Sequence, residues 1–233
     1  MERRKFLAVS LATSTGLGLF TTAAPLESKD DADVPLAPPP PFATVLFSGK
    51  DLTGWVNREG GPARWSVKDG YMEVVPKTGD IYTKENFADF QLHLEFWLPY
   101  MPEAKGQARA NSGVYLQGRY EVQVLDSYGL KLKNDDCGAI YKYATPLHNA
   151  CKKPQVWQGY DIALRTPRFD ENGQLKEKGR LTVFHNGIMI HNNLELNDPS
   201  GGALSNDLSK PGPILLQDHG NLVRYRNIWI IPA

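Results

Sequence analysis

Short stretches in which apolar and polar residues alternate recur through most of the sequence, and they constrain its fold more than any other feature. A period of two is typical of a β-strand with one buried face, and these stretches are bounded by Gly, Pro, Asn or Asp. Helical periodicity is scarce. The clearest example is the alternation of Phe90, Leu92, Leu94, Phe96 and Leu98 with Gln91, His93, Glu95 and Trp97.

The strongest turn signal is Asn186-Gly187, which joins two apolar stretches and in which both residues tolerate positive φ. Roughly ten such strands, with no helix long enough to cross between parallel strands, favour a sandwich. We therefore predict an all-β, two-sheet antiparallel jelly roll. Two long connections, 130–158 and 192–213, interrupt the strands, and long ordered loops often carry function.

The N-terminal residues have the pattern of an export signal and are not expected to belong to the folded domain. Arg3 and Arg4 precede an apolar run that ends at Phe20, which is the pattern of a twin-arginine signal. We expect residues 1–23 to be this signal, with no membrane anchor in the mature form, because the run is shorter than the ~20 residues that cross a bilayer. The charged, then proline-rich residues 24–41 predict a disordered linker, and residues 42–233 form the folded domain. The expected location is periplasmic or secreted, in a bacterium.

Charge and cysteine content narrow the possible partners. Basic and acidic residues number 26 each, so the net charge is zero and a nucleic-acid partner has no electrostatic support. Cys137 and Cys151 both follow the predicted signal, and in an oxidising compartment we expect them to form a disulfide, the alternative being two free thiols. The sequence has no Gly-x-Ser-x-Gly elbow, phosphate loop or His-Glu-x-x-His motif, so serine nucleophiles and such metal centres are not indicated.

The stretch 119–126 has the pattern of a strand with one apolar and one polar face. Its period of two places Tyr120 and Val122 on one side and Glu121 and Gln123 on the other. The polar side is either the ordinary wet face of an amphipathic strand or part of a site. Asp126 ends the strand, where a bulge or turn decides its direction.

Two strands near the C-terminus favour a site. Gln217 and His219 share one face of the first, and Arg224 and Arg226 share one face of the second. These side chains have directional donors and acceptors suited to sugar hydroxyls. His219 is either an acid, base or metal ligand, or a turn residue before a glycine. His148, between the two cysteines, is a candidate flap residue.

Six segments of the sequence carry a family resemblance: Phe47–Trp55, Asn111–Val114, Tyr120–Asp126, Gly138–Tyr141, Gly212–Gly220 and Tyr225–Ile228. Together they resemble the 3-keto-disaccharide hydrolase domain family. The resemblance implies a concanavalin A-like lectin/glucanase jelly roll in exported bacterial proteins. It also implies cleavage of glycosides already oxidised to a ketone at C3, with a sugar 3-oxidoreductase as the functional partner. The site residues that the resemblance implies are Asn111, Glu121, Gln123, Asp126, Tyr141, Gln217, His219 and Arg226.

A ketone at C3 acidifies the hydrogen at C2, so our hypothesis is C2 deprotonation, elimination of the C1 substituent and addition of water. Glu121 or Asp126 is the candidate base, and His219 or Tyr141 the candidate proton donor. Arg226, or a divalent cation held by Glu121, Asp126 and His219, would stabilise the enolate. The candidate substrate-binding residues are Asn111, Gln123, Gln217, Arg224, Arg226 and His148.

Two rival functions remain open at the level of the sequence. The first is a non-catalytic, lectin-like module that binds carbohydrate, which the same fold often hosts. The second is a structural module for adhesion, which has no ligand. A closed pocket with a convergent carboxylate and histidine favours catalysis, whereas an open aromatic groove favours binding alone.

Overall fold

A computed structural model describes Asp33 and residues 37–233. The predicted signal and most of the predicted linker lie outside the described residues. Among those described, no helix is long and apolar enough to cross a membrane. Alternation of apolar residues makes strands of nearly all regular structure, and the one helical element is a 3-10 turn at Gly106–Ala108. The strands are β1 (Thr44–Phe47), β2 (Trp55–Asn57), β3 (Ser66–Lys68), β4 (Tyr71–Glu73), β5 (Ile81–Thr83), β6 (Phe90–Trp97), β7 (Asn111–Leu116), β8 (Tyr120–Leu125), β9 (Gln158–Arg165), β10 (Arg168–Phe169), β11 (Leu175–Glu177), β12 (Arg180–His185), β13 (Ile188–Glu195), β14 (Leu215–Leu216) and β15 (Arg224–Pro232).

Two antiparallel sheets form the sandwich, which confirms the predicted fold class. The larger sheet has eight strands in the order β13-β12-β9-β6-β15-β4-β3, with β1 also paired to β15. The smaller has five strands in the order β2-β5-β14-β7-β8. The short β10 and β11 form a separate hairpin. Asn186 and Gly187 have positive φ between β12 and β13, as their turn chemistry predicts.

The core lies between the sheets and is largely apolar, with tyrosine hydroxyls that bond across it. Leu92, Leu94 and Phe96 of β6 are buried there. The hydroxyl of Tyr225 on β15 donates to Ser112 Oγ on β7 at 2.7 Å. The hydroxyl of Tyr160 on β9 donates to the carbonyl of Gln123 on β8 at 2.8 Å. These bonds fix how the strands of one sheet lie over those of the other.

The predicted disulfide is absent, which corrects the expectation from cysteine content. Cys137 and Cys151 are both free and buried. Their thiols lie within hydrogen-bonding distance of each other, Cys137 Sγ lies 3.2 Å from the hydroxyl of Tyr160, and Cys151 Sγ donates to the carbonyl of Lys152 at 3.4 Å. The two residues are therefore neighbours in the core as free thiols.

The end of the predicted linker contacts the domain instead of standing free of it. Asp33 Oδ1 accepts a hydrogen bond from the backbone N–H of Trp157 at 2.8 Å. The carbonyl of Ala37 accepts one from Asn227 Nδ2 at 2.9 Å and one from Trp229 Nε1 at 3.3 Å. Contacts with the sandwich therefore begin several residues before the predicted boundary at residue 42.

Candidate active site

A cavity of about 250 Å³ lies on the face of the five-stranded sheet that points away from the eight-stranded sheet. Strands β7 and β8 form its floor, and three loops cover them, so that both faces of these strands are buried. We call it the central cavity. Six of the ten predicted site residues line it, together with four others. Its lining is Gln107, Asn111, Tyr115, Glu121, Gln123, Tyr141, Gly201, Gly202, Gln217 and His219.

Glu121 is the one carboxylate among these lining residues, and its side chain is only 3% exposed. Strand pairing sets Glu121 opposite Tyr115 and next to Gly113. A Cβ at Gly113 would lie 2.4 Å from Glu121 Oε1, so the missing side chain makes the space that the carboxylate occupies. Burial raises the pKa of Glu121 to about 7 from an ordinary value of 4.5, the Tyr115 hydrogen bond opposes this, and the charge of Asp80 adds to it.

The hydroxyl of Tyr115 gives Glu121 a partner in both protonation states. It lies 2.8 Å from Glu121 Oε2 and 2.9 Å from the carbonyl of Gly201. When Glu121 is ionised, Tyr115 donates to it. When Glu121 is protonated, Glu121 can donate to Tyr115, which then donates to Gly201. Burial and the neighbouring charge of Glu121 raise the pKa of Tyr115, so Tyr115 stays a neutral hydroxyl.

Two amide oxygens in the cavity wall have no hydrogen-bond partner in the described part of the chain. They are Asn111 Oδ1 and Gln217 Oε1. Asn111 Nδ2 is held by the carbonyl and side chain of Gln107 at 2.9 and 3.2 Å, which fixes its oxygen as the free end. Buried acceptors without a partner are costly, by about 1–3 kcal/mol each. Both would be satisfied by a ligand rich in hydroxyl groups.

An ion pair outside the cavity ties two of its walls together. Arg58 Nη2 lies 2.7 Å from Asp80 Oδ2 and donates to the carbonyl of Gly202 at 2.9 Å. Asp80 Oδ1 accepts the backbone N–H of Asp218 at 2.8 Å, next to His219. Arg58 and Asp80 therefore fix both the loop above Tyr115 and the segment that carries Gln217 and His219.

Arg224 and Arg226 do not join this cavity, and the prediction that they share a site with Glu121 is wrong. Their neighbour Tyr225 points into the core, so both arginines project from the outer face of the eight-stranded sheet. Arg224 Nε pairs with Glu73 at 2.5 Å, and Arg226 Nε pairs with the fully buried Glu95 at 2.6 Å. Both sheets separate them from the central cavity.

Asp126 and His148 also lie apart from the cavity lining. Asp126 Oδ2 lies 2.5 Å from Arg109 Nη2, so the carboxylate of Asp126 forms an ion pair. His148 is exposed on the loop between the cysteines. Among the described residues, no group of three or more His, Cys, Asp or Glu side chains is arranged to hold a metal ion. The predicted cation site of Glu121, Asp126 and His219 is therefore not assembled.

Sequence reasoning missed several residues of the site. Tyr115 and Gly113 carried a usable signal, because they share the face of β7 that holds Asn111. Gln107, Arg58 and Asp80 carried none, since they lie outside the strands, where a period of two does not assign a side chain to a face.

Comparison with known proteins agrees with this architecture. A family model described as a 3-keto-alpha-glucoside-1,2-lyase-like domain matches residues 43–231. The chain belongs to that family. The family resemblance seen in the sequence is thereby confirmed. Among curated proteins, none matches the sequence significantly.

Solved structures with the same fold come from Parabacteroides distasonis ATCC 8503. A candidate glycosyl hydrolase from that organism, solved at 2.13 Å, is 42% identical, with a TM-score of 0.76 over 83% of this chain and 85% of that one. A second candidate glycosyl hydrolase is 24% identical, with a TM-score of 0.58 over 82% of this chain and 99% of that one. A third is 21% identical, with a TM-score of 0.62 over 82% and 94%. The last two support the fold alone.

Proposed function

We propose that this protein cleaves 3-keto-glycosides, with Glu121 as the base that removes the proton at C2. The observation that carries the proposal is a single buried carboxylate with a pKa of about 7 in a cavity walled by amides and hydroxyls. A general base is most effective when its pKa is close to the working pH. Family membership and the hydrolase-like relatives support a carbohydrate substrate.

The reaction needs no oxocarbenium ion. Glu121 takes the C2 proton, and the electrons of the C2–H bond pass into an enolate whose oxygen is at C3. The enolate then forms a C1–C2 double bond as the C1–O bond breaks, and the leaving oxygen takes a proton. Addition of water returns a hydroxyl to C1 and a proton to C2, so the net change is hydrolysis.

Asp126, the other candidate base, is assigned a structural role here because Arg109 occupies its carboxylate. Tyr141 and His219 both line the central cavity, and both are retained as proton donors. His219 is the one lining side chain able to carry positive charge, so we assign it to the C3 oxygen, where negative charge develops. Tyr141 is then assigned to the leaving oxygen.

A substrate labelled with deuterium at C2 tests this mechanism. We expect the enzyme to release the label to water during cleavage of a 3-keto-glucoside, and to leave the glucoside with an ordinary C3 hydroxyl intact. Glu121→Gln should lower kcat by about a hundredfold or more. Arg224→Gln, on the opposite face, is the matched control and should retain activity.

The contrary results identify the rivals. Cleavage with full retention of deuterium and with no primary isotope effect on the rate would indicate an oxocarbenium route and overturn the proposal. Binding of the sugar without turnover would identify a carbohydrate-binding module. The same assay with a chelator tests the divalent cation, whose loss should leave the rate unchanged if Glu121 and His219 suffice.

A further inference from the structure

A second cavity, of about 320 Å³, adjoins the central cavity. We call it the side cavity. It lies beyond the edge strand β8, between the loop that follows β8 and the loop that follows β13. Tyr141 and Gly201 line both cavities. The lining of the side cavity is Tyr120, Ile140, Tyr141, Lys142, Tyr143, Leu196, Asn197, Asp198, Pro199, Ser200 and Gly201.

The hydroxyl of Tyr120 is the feature of the side cavity that points to a ligand. Tyr120 is 1% exposed, and its hydroxyl has no hydrogen-bond partner within the described residues. A phenylalanine would fill the same space without the cost of a buried unpaired hydroxyl. The polar group of a ligand in this cavity would remove that cost.

The rim of the side cavity is held in place by hydrogen bonds. The Tyr143 hydroxyl donates to the carbonyl of Glu195 at 2.9 Å and accepts from Asn197 Nδ2 at 3.0 Å. The backbone N–H of Lys142 donates to the carbonyl of Asn134 at 2.7 Å. The Tyr143 bonds join the two loops and the Lys142 bond holds the loop that follows β8 to itself, so the cavity is formed before any ligand arrives.

Only a thin wall separates the two cavities. Ser200 Oγ accepts the backbone N–H of Glu121 at 3.0 Å, and the Ser200 N–H donates to the carbonyl of Arg119 at 2.9 Å. The next residue, Gly201, has open space where a side chain would stand. A sugar ring beside Glu121 can therefore extend its C1 substituent past Gly201 into the side cavity.

We infer that the side cavity is the binding site for the leaving group, and that it takes a neutral, hydroxylated ring such as a second sugar. The inference rests on the proposed function. Tyrosine faces suit the apolar face of a sugar ring. Asp198 and the Tyr120 hydroxyl suit ring hydroxyls, whereas a flat aryl group would leave the Tyr120 hydroxyl without a partner.

Kinetics on two substrates test the assignment. Tyr120→Phe should lower kcat/KM for a 3-keto-disaccharide by about three- to tenfold, through KM, and leave that for methyl 3-keto-glucoside unchanged. Asp198→Asn should act in the same direction. Tyr100→Phe is the matched control, since that exposed tyrosine lines neither cavity. The Tyr120→Phe protein should be at least as stable as the wild type, because the hydroxyl it lacks has no partner.

Binding of glucose, used as a free leaving sugar, tests the same assignment without turnover. We expect glucose to shift the NMR signals of the backbone amides of residues 140–143 and of Asn197, Asp198 and Ser200, and the shifts to weaken in Tyr120→Phe. Such shifts without cleavage of any 3-keto-glycoside would refute the proposed reaction and keep the subsite. Cleavage with no shifts, or equal losses on both substrates, would refute the subsite alone. Preference for a phenyl over a sugar leaving group, unchanged in Tyr120→Phe, would also refute it.

Discussion

Glu121 meets two opposed demands, because the burial that makes it a good base also costs folding free energy. Its pKa rises from 4.5 to about 7 on folding. A carboxyl with a raised pKa binds its proton more tightly when folded. Between pH 4.5 and pH 7 the unfolded chain releases this proton while the folded protein still holds it. The free energy of unfolding therefore falls as the pH rises through this range.

Glu121→Gln is therefore expected to stabilise the protein at high pH while lowering its activity. The difference in unfolding free energy between variant and wild type should grow by up to about 3 kcal/mol between pH 4.5 and pH 8. Urea titrations at the two pH values measure it. An equal difference at both would show that the pKa of Glu121 is not raised.

Arg58 and Asp80 are expected to act as positioning residues whose loss shifts the pH profile in opposite directions. The charge of Asp80 raises the pKa of Glu121, and Arg58 offsets that charge. Arg58→Gln should move the acidic limb of kcat/KM to higher pH, and Asp80→Asn should move it to lower pH. Each should also reduce kcat/KM by about tenfold through the loosened walls. Shifts in the same direction would indicate a purely structural pair.

At the level of strands, the pairing of β7 with β8 builds the site, since it places a residue without a side chain beside the carboxylate. Gly113→Ala should displace Glu121 from Tyr115, lowering kcat by about a hundredfold and stability by about 1–3 kcal/mol. Gly54→Ala is the control, because the nearest atom to a Cβ there is 3.9 Å away. Shortening the acid in Gly113→Ala with Glu121→Asp should restore stability. No recovery would place the clash elsewhere.

Strand β8 also shows how far the sequence can predict this site. Its bounds and its two faces follow from the period of two, so Glu121 and Gln123 were placed together correctly. The same pattern describes β15, whose polar side chains also point outward. A sandwich has two outer faces, and alternation does not show to which of the two sheets a strand belongs. Arg226 and Gln217 thus looked equivalent in sequence, although the sandwich separates them. Arg109, which forms the ion pair with Asp126, precedes the neighbouring strand β7. Alternation along one strand does not show such a contact between two strands.

At the level of the whole molecule, a charged cluster on the outer face of the eight-stranded sheet gives stability a second dependence on pH. His93 lies 2.7 Å from Asp161 Oδ1 and 3.6 Å from Glu95 Oε1. Burial alone would lower the pKa of His93, but the two carboxylates raise it to about 9 from 6.5. Its contribution to stability is full below pH 6.5 and is lost as the pH rises through 9.

Asp161→Asn is expected to weaken this contribution without disturbing the core, because Asp161 is half exposed. The loss of stability should be about 1 kcal/mol at pH 6, since solvent screens the pair, and should vanish near pH 10. Urea titrations at both values test it, with Gln91→Ala on the same face as control. A loss that is equal at both pH values would show that His93 is neutral.

The hydrogen bonds of Ala37 to Asn227 and Trp229 also determine on which side of the domain residue 37 lies. They anchor the incoming chain on the face opposite the central cavity. A support or affinity tag joined directly to residue 37 would therefore be attached behind the molecule, on the side away from the central cavity. The mouth of the cavity would face outward, open to diffusing substrate.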